Sequence, residues 1–351
     1  MLAIIKQREG GSGCYTDNTD KYLFLLLLKL GLDAAVFHFC CQKLYSSFLS
    51  LCSLSIVMAD LALVVFMANV WFLGAERSHV SPCFLLANAT ATYGALPLPM
   101  MCLGVLDYCL EDTYLKNQSA FCKFLRNAVL TLLVWMLAVI YSFGSVKAEL
   151  IELDYVTGIK VQVCEIEDSP LIAYFTLGLF TAVTCTLLPF WSRIPQWVKE
   201  ANRLSEEREE QENQKSDLLF TSSNYTDTKW SDEYHLEEST WPRPPLWLSL
   251  TLGFGMFWMP YLAMSVVCLV FGFGVPAYLT VNLLWLECTH SLLVGVVFWV
   301  KSKRLGPYSH LPENVCLWQI YWHLSEGTRQ QQLPVAVFNQ SKGKRNTLYY
   351  V

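Results

Sequence analysis

A few ionisable residues lie inside long apolar runs of the sequence, where a charge needs a partner or a function. They are Lys29, Asp33, Asp60, Asp107, Glu287 and His290. We predict one buried polar network of Asp33, Asp60, Glu287 and His290, in which the last two share a helical face because they are three residues apart. Two functions stay open for it. It is either a neutralised, hydrogen-bonded packing network or a cation or proton site, with sodium at Asp60 as the candidate metal.

No arrangement of residues predicts an enzyme. Of the six histidines, only His38 and His290 lie in apolar runs, whereas a catalytic zinc site needs three converging protein ligands. A Ser-His-Asp triad would need its three side chains at the same level along these apolar runs, and the sequence offers no such set. The net charge of −5 argues against nucleic acid as a partner. We therefore expect neither catalysis nor a bound cofactor.

The elements that must position these residues are seven apolar stretches, each long enough to cross a bilayer at about 20 residues. They cover residues 22–41, 48–73, 84–110, 125–143, 171–191, 246–273 and 275–300. A soluble domain of 351 residues could not bury seven such helices, and only 16% of this chain is charged. The sequence therefore predicts an all-α membrane protein, a seven-transmembrane helix bundle over residues 22–300, in contact with the lipid bilayer.

Lysine and arginine near the ends of these stretches predict the orientation. Basic residues follow the fifth and seventh stretches, whereas the loop after the fourth stretch is rich in Asp and Glu. We expect that acidic loop and an N-terminal tail, residues 1–21, outside the cell. A C-terminal tail, residues 301–351, and an acidic third inner loop, residues 192–245, are expected in the cytoplasm. The first part of the inner loop suits a charged extension of the fifth helix.

Three cysteines, Cys14, Cys83 and Cys164, are expected on the outer, oxidising side, where disulfides form. Cys83 opens the third stretch and Cys164 lies in the acidic outer loop. A disulfide between these two would tie that loop over the mouth of the bundle. Cys14 is then left over, either free or paired with another chain.

Motifs in the stretches point to a family. Asp60 follows Leu54-Ser55-Ile56-Val57-Met58-Ala59, Trp135 lies in the fourth stretch, and the sixth contains Phe257-Trp258-Met259-Pro260. Together with Cys83 and Cys164, these motifs resemble those of rhodopsin-like (class A) G-protein-coupled receptors over about residues 20–310. The resemblance implies an orphan receptor of the plasma membrane that binds an unknown ligand from outside and engages a G protein or arrestin inside.

The resemblance also implies which residues would act in such a receptor. By family position, the ligand pocket comprises Thr90, Tyr93, Gly94, Trp258, Tyr261, Leu284 and Glu287, and the activation switch comprises Trp258, Pro260, Asp107, Tyr108 and Phe298. Pro260 would hinge the sixth helix, since a proline removes one helical hydrogen bond. Thr90 stands where amine receptors keep an aspartate, which argues against a monoamine. The acidic outer loop favours a basic ligand such as a peptide.

Two inner motifs depart from the family. Tyr108 stands at the position of the arginine in the Asp-Arg-Tyr triplet. The phenol of a tyrosine has neither the positive charge nor the paired N–H donors of a guanidinium. The usual Asn-Pro-x-x-Tyr of the seventh helix is replaced by Val294-Gly295-Val296-Val297-Phe298. These changes favour an alternative, a non-signalling scaffold or trafficking partner with the receptor fold. A transporter would rest on the buried charges alone, without the internal repeat that transporters show.

A second aromatic stretch, Val315 to Trp322, follows the seventh helix. Trp318 and Trp322 are four residues apart and share one helical face, which suits the headgroup boundary of a membrane. Cys316 is either palmitoylated there or a simple interfacial cysteine. The sequence therefore predicts that this stretch lies on the membrane surface.

Overall fold

The computed structural model describes eleven stretches of the chain: residues 2–8, 15–40, 48–73, 81–111, 119–146, 150–154, 160–166, 170–220, 243–272, 275–305 and 315–326. The helices within them are α1 Thr19–Cys40, α2 Phe48–Leu73, α3 Pro82–Ala95, α4 Pro97–Glu111, α5 Ala120–Ser145, α6 Pro170–Leu187, α7 Ile194–Phe220, α8 Leu246–Val270, α9 Ala277–Thr280, α10 Leu283–Leu305 and α11 Trp318–Glu326. The strands are β1 Leu2–Arg8, β2 Tyr15–Asp17, β3 Leu150–Asp154 and β4 Lys160–Glu165. A short 3-10 helix, Leu188–Phe190, follows α6.

Most of the helices are built for a membrane. Six segments of the described chain are long and apolar enough to span one: Phe48–Leu73, Pro82–Asp107, Phe121–Ser145, Leu171–Phe190, Leu246–Val270 and Leu283–Ser302. Helix α1 adds a seventh candidate, because its 22 residues rise about 33 Å. Its charged Lys29 and Asp33 are buried, whereas Phe24 and Leu28 are exposed, as a lipid-facing surface requires. The protein is an all-α membrane helical bundle, as the sequence predicts.

The third span consists of α3 and α4, which meet at Leu96. Ser81 is its N-cap, since the side-chain oxygen accepts a hydrogen bond from Phe84 N at 3.0 Å. Pro97 has no N–H to donate, which interrupts the helix at Leu96. The helix resumes at once, because Met100 N donates to Leu96 O. The two helices therefore act as one membrane-crossing unit.

The seventh span begins later than the sequence predicts. Instead of one helix from residue 275, α9 ends at Thr280 and α10 begins at Leu283. Asn282 explains the interruption, because its Oδ1 accepts a hydrogen bond from Trp285 N at 2.9 Å and so caps a new helix. The break leaves backbone groups of Tyr278 and Leu283 available to side chains from α1.

A four-stranded antiparallel sheet, which the sequence does not predict, lies at one end of the bundle. Its strand order is β2-β1-β4-β3. The N-terminal strand β1 pairs with β4, with Ala3 opposite Cys164, and β3 pairs with the other edge of β4, with Leu150 opposite Cys164. The described strands of the expected N-terminal tail and of the acidic loop thus form one hydrogen-bonded sheet. We call this end of the bundle the sheet end and the opposite end the tail end.

A charged helix and a short aromatic helix pack at the tail end. Helix α7 continues the chain beyond the fifth span, as the charge pattern predicts, and Arg203 pairs on its surface with Glu200 at 2.9 Å and Glu207 at 3.4 Å. Helix α11 packs against α7 and α8. These contacts bring the end of the described chain back to the bundle.

Two buried apolar clusters account for most of the helix packing. The larger one joins α1, α2, α3, α5, α9 and α10 through residues such as Ile56, Leu86 and Leu286. The second joins α6, α8 and α10 to residues 315–322 through Phe254, Phe298 and Trp318. The polar network lies in the first cluster and the aromatic tail segment in the second.

Candidate functional site

A disulfide between Cys83 and Cys164 fastens the sheet to the bundle. The two Cα atoms are 5.4 Å apart, and both side chains are fully buried. Because Cys164 is on β4 and Cys83 is in the first turn of α3, the bond holds the hairpin of β3 and β4 against the start of the third span. The predicted pairing is confirmed, while Cys14 lies outside the described residues.

A buried ion pair between Lys29 and Asp60 occupies the centre of the first cluster. Lys29 Nζ is 2.6 Å from Asp60 Oδ1 and donates a second hydrogen bond, also of 2.6 Å, to the carbonyl oxygen of Tyr278. The side chains are only 5% and 1% exposed. A buried carboxylate needs a counter-charge and saturated hydrogen bonds. Lys29 supplies the counter-charge and one of these hydrogen bonds.

Two further side chains complete this network, which we call the Lys29 network: Lys29, Asp33, Asp60 and Tyr93. The Tyr93 hydroxyl donates to Asp60 Oδ1 at 2.6 Å, and its ring lies 4.6 Å from Lys29 Nζ, within cation–π range. Asp33 Oδ1 accepts a hydrogen bond of 3.1 Å from Leu283 N, the first amide of α10. The network therefore joins α1, α2, α3, α9 and α10.

The remaining carboxyl oxygens show how the network balances its charge. Asp33 Oδ2 and Asp60 Oδ2 are buried without a hydrogen-bond partner, and the two carboxyl groups lie within hydrogen-bond reach of each other. A proton on one carboxyl group would let the two carboxyl groups share a hydrogen bond. Lys29 would then face a single negative charge, so the network would be neutral overall, as a low-dielectric interior favours.

The predicted polar network is thus divided in two. Asp33 and Asp60 lie together, whereas Glu287 and His290 form a pair of their own on α10, with 3.7 Å between His290 Nδ1 and Glu287 Oε2. The prediction left out Lys29 and Tyr93. The spacing of Lys29 and Asp33, four residues apart on one helical face, is the signal that could have placed Lys29 there.

The residues expected in a ligand pocket fall into two groups. Thr90 and Tyr93 are buried on α3, beside Gly94; the Thr90 hydroxyl donates to Leu86 O at 2.7 Å and the Tyr93 hydroxyl to Asp60. Trp258 and Tyr261 of α8 pack in the second cluster with Leu284, which lies one turn of α10 before Glu287. The hydroxyls of Thr90 and Tyr93 therefore already have partners within the protein.

The expected switch residues of α8 and α10 lie in the second cluster. Trp258 is buried, and its ring meets that of Tyr261 edge-on, with centroids 6.1 Å apart. Helix α8 continues through Pro260, and Phe298 is buried on α10. A packed route therefore runs from Tyr261, on the side of the sheet end, through Trp258 to Phe298 near the tail end.

Asp107 pairs with an arginine from a neighbouring helix. One carboxylate oxygen accepts a hydrogen bond from Arg126 Nη2 on α5, and the other accepts from Phe48 N, the first amide of α2, at 3.1 Å. Asn127 Oδ1 accepts from Arg126 Nη2 at 2.8 Å and so holds the guanidinium in place. Arg126 is thus the cation for Asp107, while the side chain of Tyr108 lies outside the described residues.

This contact leads to a first prediction. Arg126→Met should destabilise the protein by about 1 kcal/mol, because Asp107 is partly buried and loses its charged partner. A double-mutant cycle with Asp107→Asn, read by thermal unfolding in detergent, measures the coupling. Arg203→Met, which breaks only an exposed pair, is the control and should change little. Additive effects of Arg126→Met and Asp107→Asn would contradict the proposed pairing.

The aromatic tail segment does not lie on the membrane surface, so that prediction is wrong. Trp318 and Trp322 are buried in the second cluster with α6, α8 and α10. Burial raises the pKa of the Cys316 thiol to about 12, and this thiol faces the side chains of Ser291 and Trp258. Burial and the nearby Arg208 lower the pKa of His323. The spacing of Trp318 and Trp322 fits a groove between helices as well as it fits the headgroup layer of a membrane. The sequence pattern alone therefore does not distinguish the two environments.

Comparison with curated proteins gives relatives that share one name. "Probable G-protein coupled receptor 160" from rat is 22% identical over 295 residues, which cover 82% of each chain. The human protein of that name is 23% identical over 259 residues, 72% of this chain and 69% of its own. The mouse protein is 22% identical over 250 residues, 71% and 69% of the two chains. The chain is a distant relative of G-protein-coupled receptors.

The relationship to these receptors agrees with the membrane bundle and with the disulfide at its sheet end. As the sequence resemblance predicts, these relatives are G-protein-coupled receptors by name. No protein-family model matches the chain. A membrane protein of the receptor class is thus supported by distant relatives and by the arrangement of the helices together.

Proposed function

We propose that this chain is a plasma-membrane receptor that transmits the binding of an extracellular ligand to cytoplasmic partners. The disulfide between Cys83 and Cys164 supports an orientation with the sheet end outside, because disulfides persist in oxidising compartments. The tail end, with Arg126, Arg193 and Lys199, then faces the cytoplasm, in line with the positive-inside rule. The N-terminus is extracellular and the C-terminus cytoplasmic in this orientation.

The observation that carries the proposal is the packed route through Trp258. Its ring contacts Tyr261, which faces the proposed ligand side, and it shares a buried cluster with Phe298, which lies near the cytoplasmic side. Ligand binding beside Tyr261, Leu284 and Glu287 would favour one of two bundle states, with Pro260 as the hinge of α8. G proteins or arrestin would recognise that state from the cytoplasm.

Coupling assays test this function directly. The full chain is expressed in cells and measured against every G-protein class and arrestin, with and without tissue extracts as the source of agonist. Tags at the two termini establish the orientation in the same cells. We expect a response from at least one transducer. Silence across the whole panel at normal surface abundance would contradict the proposal.

That silent outcome would instead favour a receptor-fold scaffold or trafficking partner. Tyr108 and the sequence Val294-Gly295-Val296-Val297-Phe298 replace the residues that typical receptors use at the inner face. They are the observation behind this second candidate function. Ion-dependent uptake in vesicles would be the result that favours a transporter over both.

The acidic outer loop leads to a prediction about ligand class. Glu152 on β3 is exposed, and the loop also contains Glu149, Asp154, Glu165, Glu167 and Asp168. Replacing these six acids by amides should weaken a basic peptide agonist found in the extracts by about tenfold or more, through lost electrostatic attraction. The matched control replaces Glu206, Glu207, Glu209 and Glu210 of α7 by glutamine. Equal potency on both variants would remove the argument for a basic ligand.

A further inference from the structure

The segment from Val315 to Glu326 is inserted into the tail end of the bundle. Trp318 and Cys316 are each only 2% exposed, and both pack in the cluster that α6, α8 and α10 form. On another side of the segment, Ile320, Tyr321 and Leu324 pack with Trp197 and Ala201 of α7. The segment is therefore surrounded by helices and buries apolar side chains in two directions.

Two glycines create the sockets that receive its aromatic rings. A Cβ atom at Gly253 of α8 would lie 2.5 Å from the Tyr321 ring, and one at Gly295 of α10 would lie 2.9 Å from the Trp318 ring. Contacts that short do not occur between real atoms, and a ring fixed at several points cannot move aside cheaply. Any larger residue at these positions would exclude the segment.

Polar contacts hold the same segment on both flanks. The Ser249 hydroxyl of α8 donates to the Tyr321 carbonyl oxygen, and Arg208 of α7 donates to the Gln319 side chain. Leu317 has a positive φ of 50°, a backbone conformation that costs a non-glycine residue energy unless its surroundings enforce it. The buried neighbours Cys316 and Trp318 enforce it here.

We propose that residues 315–326 are an intramolecular plug in a helix-docking crevice between α7, α8 and α10. The crevice selects an amphipathic helix with two large aromatic side chains three residues apart, here Trp318 and Tyr321. A cytoplasmic partner that presents such a helix can enter only when the plug has left. The role of that partner rests on the proposed receptor function, whereas the occupancy of the crevice does not.

The plug also reaches the proposed switch. Cys316 and Trp318 share one buried cluster with Trp258 and Phe298. Movement of Trp258 would therefore alter the floor of the crevice, and departure of the plug would free Trp258 to move. The tail segment and the ligand side of α8 are thereby coupled through one packed cluster.

A protected thiol tests the occupancy of the crevice. Ser249→Cys places a thiol beneath Tyr321, and a maleimide polymer applied to permeabilised cells adds one mass step for each cysteine it reaches. The full chain with Ser249 unchanged provides the background. We expect slow labelling of Ser249→Cys and an increase of about tenfold or more when Gly253→Ala or Gly295→Ala is added. Gly178→Ala is the matched control, because a Cβ there meets nothing within 4 Å.

A second variant, which lacks residues 315–351, removes the segment without a glycine substitution and so controls for misfolding of the glycine variants. It should label as fast as Gly253→Ala and keep normal surface abundance. Fast labelling of Ser249→Cys in the otherwise unchanged chain, or an unchanged rate in the truncated chain, would overturn the plug. Basal transducer activity is measured on the same variants. Faster labelling with no response from any transducer would support the plug and overturn the receptor function instead.

Discussion

Asp33→Asn combined with Asp60→Asn is expected to lower the stability of the bundle by roughly 3–5 kcal/mol, because it leaves the Lys29 ammonium buried without a counter-charge. Both carboxyl groups lie beside that ammonium, and neither is exposed to solvent. Adding Lys29→Met removes the isolated charge, so the triple variant should recover most of the loss. The measurement is the unfolding temperature of the purified protein in detergent.

Asp33→Asn alone discriminates the shared proton from other arrangements. An amide N–H at residue 33 can donate to Asp60 Oδ2, and its oxygen can still accept from Leu283 N. The single variant should therefore remain within about 1 kcal/mol of the unchanged protein. A loss as large as that of the double variant would show that Asp33 carries the charge that balances Lys29. Glu200→Gln, in an exposed pair of α7, is the control for a neutralised carboxylate.

The Lys29 network also predicts how the stability of the protein responds to sodium. With Lys29 present, exchanging sodium for potassium at constant ionic strength should leave the unfolding temperature unchanged, because the Lys29 ammonium already pairs with Asp60. Lys29→Met should make the protein sensitive to sodium if the remaining carboxylates can bind it. A sodium-specific stabilisation of the unchanged protein would restore the ion site that the sequence alone left open. The described residues contain no group of three or more His, Cys, Asp or Glu side chains placed to bind a metal.

Cys83→Ser with Cys164→Ser is the second change with a large expected effect. The bond closes a loop of 81 residues, for which chain-entropy reasoning gives a stabilisation of about 4.5 kcal/mol. The helices within the loop stay in the membrane when tertiary contacts are lost, so we expect the loss at the sheet end. Reduced surface abundance and faster proteolysis after residue 150 are the readouts.

Two controls separate loss of the bond from loss of a thiol. Cys122→Ser replaces an exposed, unbonded cysteine and should change neither readout. The single variant Cys164→Ser should resemble the double variant, because one sulfur cannot close the loop. Unchanged abundance and proteolysis in the double variant would show that β1 and β4 hold the hairpin without the disulfide.

The membrane bundle is predictable from the sequence because a spanning helix satisfies all its backbone hydrogen bonds by itself. Length and apolarity therefore suffice to predict the spanning helices at residues 48–73 and 246–270. The break at Asn282 is harder, because it depends on a side chain capping one helix among apolar neighbours. Strand β1 is harder still, since its partner β4 is distant in sequence and residues 2–8 do not alternate strictly between apolar and polar.

The sequence predicts which buried charged side chains of the candidate site need partners, but not which side chains pair with each other. The sequence shows that Lys29, Asp33, Asp60 and Glu287 need partners, but depth and rotation of each helix decide which groups meet. Arg126 and Asp107 illustrate the same limit, because their contact depends on how α5 lies beside α4. For the tail segment, Gly253 and Gly295 are the overlooked signal, since a glycine in a membrane helix often marks a close approach.

Strand β1 lies inside the sheet, between β2 and β4, and this position has a consequence for how the protein is made. The ribosome delivers β1 first, whereas its partner β4 emerges only after four spans have been synthesised. Until then, β1 can pair only with β2, its neighbour in the chain. The full sheet closes only after the fourth span has been made, so a delay in inserting that span would leave the edge of β1 that β4 covers open to proteases and chaperones.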